Sequence, residues 1–294
     1  MWNCYLWHVK QPLFMLNPRL TLNCKGRLLS LDTPKVMGIL NVTPDSFYDG
    51  GRYTEAEALL ERAGCLLDEG AAILDVGGMS SRPGAELIPV AEELDRVLPA
   101  ISALHRAFPE AIISIDTIRA EVARQAVEAG ASIVNDISAG AFDDSLYPTV
   151  AKLGVPYILM HMKGSPKTMQ QDPAYEDVVQ TVLDFFIAEA GKLRALDVKD
   201  IILDPGFGFG KTVTHNFQLL KHMHVFKILD FPVLAGLSRK SMINKVLKIK
   251  PQQALNGTTA LNIVALQQGA RLLRVHDVRP AAEAIQLWQQ LEKV

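Results

Sequence analysis

Ile112-Ile113-Ser114-Ile115-Asp116 is a short apolar run that ends in a carboxylate, and the same construction recurs along the whole chain. Val36-Met37-Gly38-Ile39-Leu40 leads to Asn41, and Ile73-Leu74 leads to Asp75. Ile133-Val134 leads to Asn135-Asp136, Tyr157-Ile158-Leu159-Met160 to His161, and Ile201-Ile202-Leu203 to Asp204. Val233-Leu234-Ala235-Gly236-Leu237 leads to Ser238-Arg239-Lys240, and Leu272-Leu273 to Arg274 and His276. One polar group at the end of a buried strand is ordinary, because strands end in solvent. Repetition collects such groups on one face of a parallel sheet, where (β/α)8 barrels build their active sites.

Helical periodicity alternates with these runs. Residues 55–69 place Ala58, Leu59, Ala63, Leu66 and Leu67 on one side, and residues 90–107 do the same with Val90, Leu94, Val97, Leu98, Ile101 and Leu104. Further helices are expected near 119–129, 145–153, 175–196, 214–228, 251–269 and 278–292, with Gly70, Gly130, Gly154 and Gly269 at helix stops. Eight strand–helix units without a linker predict an α/β fold, a single-domain (β/α)8 TIM barrel over residues 16–294. The competing open doubly wound sheet needs a switch point between two halves, and no break of that kind is visible. Residues 1–15 read as a dispensable N-terminal extension.

Composition narrows the function. The 294 residues are 49% hydrophobic and 21% charged, as in a globular protein with a sizeable core. A net charge of -2 supplies no electrostatic reason to expect nucleic acid or a membrane surface as partner. No apolar stretch approaches the roughly 18 residues that cross a bilayer. Cys4, Cys24 and Cys65 have no close pairing, so a reducing cytoplasm is the expected setting. Small molecules remain as the expected partners.

Two loops after strands exceed the usual length of about 2–6 residues, and a third is set apart by its glycines and aromatic rings. Asn41-Val42-Thr43-Pro44-Asp45-Ser46-Phe47 runs on to Asp49-Gly50-Gly51 and has the character of a lid. Gly77-Gly78-Met79-Ser80-Ser81-Arg82-Pro83-Gly84 offers hydroxyls and a guanidinium to a phosphate or carboxylate. Asp204-Pro205-Gly206-Phe207-Gly208-Phe209-Gly210-Lys211 has neither P-loop spacing nor a dinucleotide fingerprint; it offers a carboxylate and aromatic rings to a flat heterocycle. Asp116, Asn135 and Asp204 together suit a nitrogen-rich ring with adjacent N–H donors, such as a pterin or guanine. Ser238-Arg239-Lys240 and Arg274-Val275-His276 follow strands seven and eight, the usual phosphate site of this fold. Zinc-ligand spacing and a G-x-S-x-G elbow are absent.

Taken in order, MGILNVTPDSF, SSRPGA, SIDT, VNDI, HMKGSPKTMQ, LDPGFGFGK, GLSRKSMI and RVHDV make the chain resemble the dihydropteroate synthases of folate biosynthesis, from about Leu16 to the C-terminus. The resemblance implies a magnesium-assisted transferase that condenses 6-hydroxymethyl-7,8-dihydropterin diphosphate with 4-aminobenzoate, releasing 7,8-dihydropteroate and pyrophosphate. It implies pterin contacts from Asp116, Asn135, Met160, Asp204, Phe209, Gly236, Lys240 and Arg274. Diphosphate contacts would come from Asn41, Ser81, Arg274 and His276, with Asn41 also at the metal. Phe47, Arg82, Pro83, Phe209 and Ser241 would surround the aminobenzoate. Asp116, Lys240, Arg274 and the lid residue Asp45 would carry the chemistry. A homodimer through late-barrel helices and a sulfonamide target are implied as well.

Those assignments suit the reaction. Loss of diphosphate leaves negative charge on the departing group, answered by Arg274, His276 and magnesium, and positive charge on the pterin methylene, answered by Asp116. Met79 stands where the family usually has glutamate and Ser81 where it has threonine. Serine keeps the hydroxyl, whereas Met79 removes a carboxylate that could brace the loop. A catalytically silent pterin-binding paralogue and a pterin-dependent methyltransferase are the alternatives.

Overall fold

The computed structural model describes residues 20–42, 55–79, 87–164 and 173–294. Eight parallel strands close a barrel: β3 (Lys35–Asn41), β4 (Ala71–Gly77), β5 (Ile112–Asp116), β6 (Ile133–Asp136), β7 (Tyr157–Met160), β8 (Ile201–Asp204), β9 (Val233–Ala235) and β10 (Ala270–Val275). β10 pairs with β3 and closes the sheet. The strands are rich in Ile, Val and Leu because the barrel buries both of their faces.

Side chains alternate across a strand with period two. One apolar ring therefore forms inside the barrel from Met37, Ile73, Ile112, Ile133, Ile158, Ile202, Leu234 and Leu272, one from each strand. Burying a side chain of this size contributes about 1.5–3 kcal/mol. The opposite faces of the strands, including Val36, Leu74, Ile113, Val134 and Leu203, pack against the surrounding helices. Those helices are α1 (Glu55–Asp68), α2 (Val90–Ala107), α3 (Ala120–Ala129), α4 (Leu146–Leu153), α5 (Val178–Ala195), α6 (Val213–Lys221), α7 (Ser241–Leu247), α8 (Leu255–Gln267) and α9 (Val278–Leu291).

Below the apolar ring lies a hairpin, β1 (Thr21–Cys24) with β2 (Arg27–Ser30), for which the sequence pattern gave no expectation. Its Leu22, Cys24, Leu29 and Leu31 plug the N-terminal end of the barrel. Lys25 Nζ donates to Val127 O at 2.8 Å, and the Asn23 amide donates to Asp200 Oδ2 at 2.9 Å.

Several expected helices are adjusted. The segment 214–228 divides into α6 and a 3-10 turn over Met223–Leu229. The segment 251–269 opens as a 3-10 turn at Pro251–Gln253 before α8 begins at Leu255. The expected start at 175 moves to Val178, where Asp177 accepts from the amides of Val179 and Gln180. Val90, expected on the buried face of α2, is exposed in its first turn. The assigned extension at 1–15 lies outside the described residues.

Candidate active site

Two residues beyond the apolar ring, the same inward-facing positions become Asp75, Ser114, Asn135, Met160, Asp204 and Arg274 on β4 to β8 and β10, with Gly236 just past β9. Strand alternation thus turns one sealed layer into one chemical layer. A further two residues on, Asn41, Gly77 and Asp116 stand at matched register with Asn135 across β3 to β6. The expected pterin contacts Asn135, Met160, Asp204, Gly236 and Arg274 belong to the first of these layers, and Asp116 stands above them.

Arg274 organises the layer. Its Nε donates to Asp75 Oδ2 at 2.7 Å and its Nη2 donates to Asp116 Oδ2 at 2.7 Å. Burial opposes the charge of Arg274, but the two carboxylates outweigh it and hold the guanidinium protonated. Asn135 Nδ2 donates to the same Asp75 oxygen at 3.0 Å. Asp75 Oδ1 and Ser114 Oγ are buried without a hydrogen-bond partner among the described residues. Burial lifts the Asp116 carboxyl to about 7, partly offset by Arg274.

Asp75 is therefore central, though the sequence reading left it a strand end without a role. The signal that could have found it is its spacing, two residues after Ile73, the same offset that separates Ile202 from Asp204.

On the opposite wall, Asp204 Oδ1 accepts from the Gly206 amide at 2.8 Å. Burial raises its carboxyl above the ordinary range, against the pull of that amide and of Lys240, Arg274 and Lys211. Lys240 Nζ donates to Phe207 O at 2.6 Å and lies 4.1 Å from the centre of the Phe209 ring. Burial draws Lys240 down to about 8, although Asp204 favours its charge. Gly236 borders this wall, where a Cβ would stand in ordinary contact with Asp204 Oδ2, at 3.9 Å.

The anion side is partly corrected. Arg239, read with Lys240 as a cation for a phosphate, is instead engaged bidentately by Asp277, at 3.0 Å from Nε and 2.6 Å from Nη2. Lys240 is turned to the Phe207 carbonyl. His276 stays at the mouth, its Nδ1 3.0 Å from Ser238 Oγ and its amide donating to the same hydroxyl at 3.2 Å. Asn41 is exposed at the end of β3, and Ser241 is exposed in the first turn of α7.

Met79 packs against an apolar wall of Ile118, Ile137, Met160 and Phe209. Bracing of the second loop comes from behind. Arg96 Nη1 donates to Gly78 O at 2.9 Å, and Arg119 Nη2 donates to Ile88 O. The fully buried Glu93 accepts from Arg119 at 2.6 Å and from Thr117 Oγ1 at 2.7 Å. The calls on Asp45, Phe47, Ser81, Arg82 and Pro83 fall outside the described residues.

A closed parallel barrel whose C-terminal mouth gathers carboxylates, an amide, an arginine and a lysine around an aromatic ring defines an α/β-barrel enzyme site for a flat polar heterocycle. The family described as pterin binding enzyme matches residues 37–276. Dihydropteroate synthase of Escherichia coli strain K12 is 43% identical over 265 residues, 90% of this chain and 93% of that protein. The structure of Xanthomonas albilineans dihydropteroate synthase with 4-aminobenzoic acid superposes with a TM-score of 0.88 at 44% identity, covering 94% of this chain and 99% of that one. The same organism's enzyme in complex with 7,8-dihydropteroate gives 0.84 at 42% identity, covering 93% and 99%. The chain belongs to the pterin-binding enzymes and, within them, to the dihydropteroate synthase family.

Proposed function

We infer that the chain joins 6-hydroxymethyl-7,8-dihydropterin diphosphate to 4-aminobenzoate, giving 7,8-dihydropteroate and pyrophosphate. The observation that carries this reading is the layer two residues above the apolar ring, where Asp75, Asn135, Asp204 and Arg274 converge under Asp116. Carboxylates and an amide there match the adjacent donors of a pterin edge. Phe209 and Lys240 form the wall beside its face. Met160 and Gly236 shape the floor.

In the reaction the bond from the pterin methylene to the diphosphate oxygen breaks, its electron pair leaving with pyrophosphate. The arylamine nitrogen then forms the new C–N bond and gives up a proton. Arg274 and His276 face the departing charge, and ionised Asp116 faces the cationic methylene. Preorganised charges of this kind commonly supply the largest share of a barrier reduction. Ser81 would add a diphosphate contact, and Phe47, Arg82, Pro83, Phe209 and Ser241 would receive the aminobenzoate. Closure of the loop bearing Asp45 would exclude water.

Magnesium fits the donors at the mouth. Asn41 presents one amide oxygen, and the described residues hold no cluster of three or more His, Cys, Asp or Glu able to bind a metal. Mg²⁺ commonly keeps several waters and completes its shell with substrate phosphates. When bound it would neutralise diphosphate charge. A homodimer is part of the same reading; Val246 and Leu247 of α7, Leu255 of α8, and Leu287 and Leu291 of α9 leave exposed apolar surface on late-barrel helices. Light scattering that returned a 32.3 kDa particle would overturn it. A cytoplasmic location accords with Cys24 and Cys65, both free thiols, and among the described residues no helix is long and apolar enough to cross a membrane.

The decisive experiment measures pyrophosphate release from the pterin diphosphate with magnesium, with and without 4-aminobenzoate. Release coupled to dihydropteroate formation supports the synthase. Tight pterin binding without product would favour the silent paralogue.

A further inference from the structure

Behind the Asp204 wall lies a buried lysine outside the set of expected contacts. Lys211 Nζ meets four acceptors: His161 Nδ1 at 2.9 Å, His161 O at 3.2 Å, Gly206 O at 3.0 Å and Phe209 O at 3.0 Å. As an ammonium Lys211 has three donors and no acceptor, so in that form its hydrogens are fully committed and His161 Nδ1 receives. Burial draws Lys211 down to about 7, although Asp204 favours its charge, so that form prevails below neutrality. His161 is then the neutral tautomer protonated at Nε2. Its basicity agrees: burial, with the Lys211 charge behind it, draws His161 down to about 2.

These four contacts join two loops. His161 follows β7, whereas Gly206 and Phe209 lie between β8 and α6. The two backbones touch where glycine alone fits. A Cβ on Gly206, at φ +67°, would stand 2.0 Å from His161 O, and one on Gly210, at φ +64°, would stand 2.4 Å from Lys163 O. Tyr175 adds a strut, its hydroxyl donating to Gly210 O at 2.8 Å. Asn216 adds another, its Oδ1 accepting from the Gly208 amide at 2.7 Å. Three carbonyls of the Gly206–Gly210 loop are thus divided between two lysines. Gly206 and Phe209 turn theirs back to Lys211, and Phe207 turns its carbonyl to Lys240 at the mouth.

We propose that Lys211 is a positioning residue for pterin binding: by holding the Gly206–Gly210 loop against the end of β7 it sets where Phe209 and Lys240 stand, without itself touching substrate. The proposal rests on the site reading given above. A shift of the Phe209 and Lys240 wall would weaken capture of the ring while leaving Arg274, Asp75 and Asp116, which face the reacting atoms, in place.

The test titrates 6-hydroxymethyl-7,8-dihydropterin diphosphate calorimetrically into the wild-type protein, Lys211→Met and Tyr175→Phe, with no 4-aminobenzoate present. kcat at saturating pterin is measured beside it. A loss of about 1.4 kcal/mol of binding free energy is tenfold in affinity, so we expect Kd to rise at least about tenfold in Lys211→Met and about threefold in Tyr175→Phe, with kcat within about threefold. Leu104→Ala, a cavity in the layer outside the barrel, controls for lost stability and should leave Kd unchanged at a matched fall in Tm. A folded Lys211→Met with wild-type Kd overturns the proposal, as does a loss confined to kcat. Should Lys211→Met not fold, an unchanged Kd in Tyr175→Phe overturns it. A wild-type protein that binds no pterin diphosphate defeats the site reading itself, a result distinct from all of these.

Discussion

Arg274 is held from below by Asp75, Nε to Oδ2 at 2.7 Å, and that carboxylate is fully buried. The pairing fixes the guanidinium plane before any substrate arrives, so Arg274 need not be reoriented during the reaction. Removing one partner of a buried ion pair costs about 3–5 kcal/mol, because the remaining charge is stranded. Asp75→Asn keeps the shape and removes the charge. We expect kcat/KM to fall by at least about 100-fold, since each 1.36 kcal/mol is a factor of ten. Steady-state kinetics would check this, and a variant within a few fold of wild type would show that Asp116 alone suffices to hold Arg274.

The mouth carries two groups whose charge states oppose each other in pH. Burial lifts Asp116 to about 7, and it must be ionised to face a cationic methylene. Burial lowers Lys240 to about 8, and it must be protonated to engage the Phe209 ring as a cation. The first requirement fails as pH drops through about 7 and the second as pH climbs through about 8. The pH profile of kcat/KM should therefore be a narrow bell between those values, reporting the free enzyme. In Asp116→Asn the acid limb should vanish at a much lower plateau. An unchanged acid limb would assign it to another group.

Much of this site was legible as strand ends, because a closed barrel leaves its inward polar residues nowhere else to go. Asp116, Asn135, Asp204 and Arg274 all come from short apolar runs that needed no tertiary information. Depth was less legible. Asp75 and Asp204 sit at the same offset from the apolar ring, yet only the register across neighbouring strands reveals that they share a layer. Pairing partners were not legible at all. The salt bridge that takes Arg239 away from the anion site is to Asp277, at the end of a neighbouring strand. The hairpin beneath the barrel escaped because its strands are only four residues each, too short a run for even the strict alternation of Thr21–Cys24 to stand out.

Glu93 offers a way to separate the two substrates. It is buried, and it joins Thr117, next to Asp116, with Arg119, which holds Ile88 at the far end of the second loop. In Glu93→Gln the amide can still accept from Thr117, but Arg119 loses its charge partner. If the loop between Gly78 and Ile88 receives the aminobenzoate, KM for 4-aminobenzoate should rise about tenfold, the effect of roughly 1.4 kcal/mol. Kd for the pterin diphosphate should change little. Equal losses for both substrates would mean that Glu93 acts through Asp116 instead.

The same buried charges make a prediction about the substrate-free fold. Asp116 has a folded pKa raised above its unfolded value, so its contribution is full below the ordinary carboxylate range and is lost as pH rises through about 7. Lys240 is lowered, so its contribution is full above the ordinary lysine range and is lost as pH falls through about 8. Between those values both groups are held in their costly charged forms, and the site opposes folding most near the pH at which it should work best. Such strain is expected where charges are gathered for binding rather than for stability. Lys240→Met removes one of the two. Its Tm relative to wild type should climb as pH drops from about 10 to about 8 and then level off, because below that value the wild-type lysine is protonated in both states. Paired calorimetric scans across that range would check it. A difference that stays flat from pH 10 to pH 8 would show that Lys240 keeps an ordinary lysine pKa in the folded protein, and the alkaline limb of the kinetic bell would then have to come from another group.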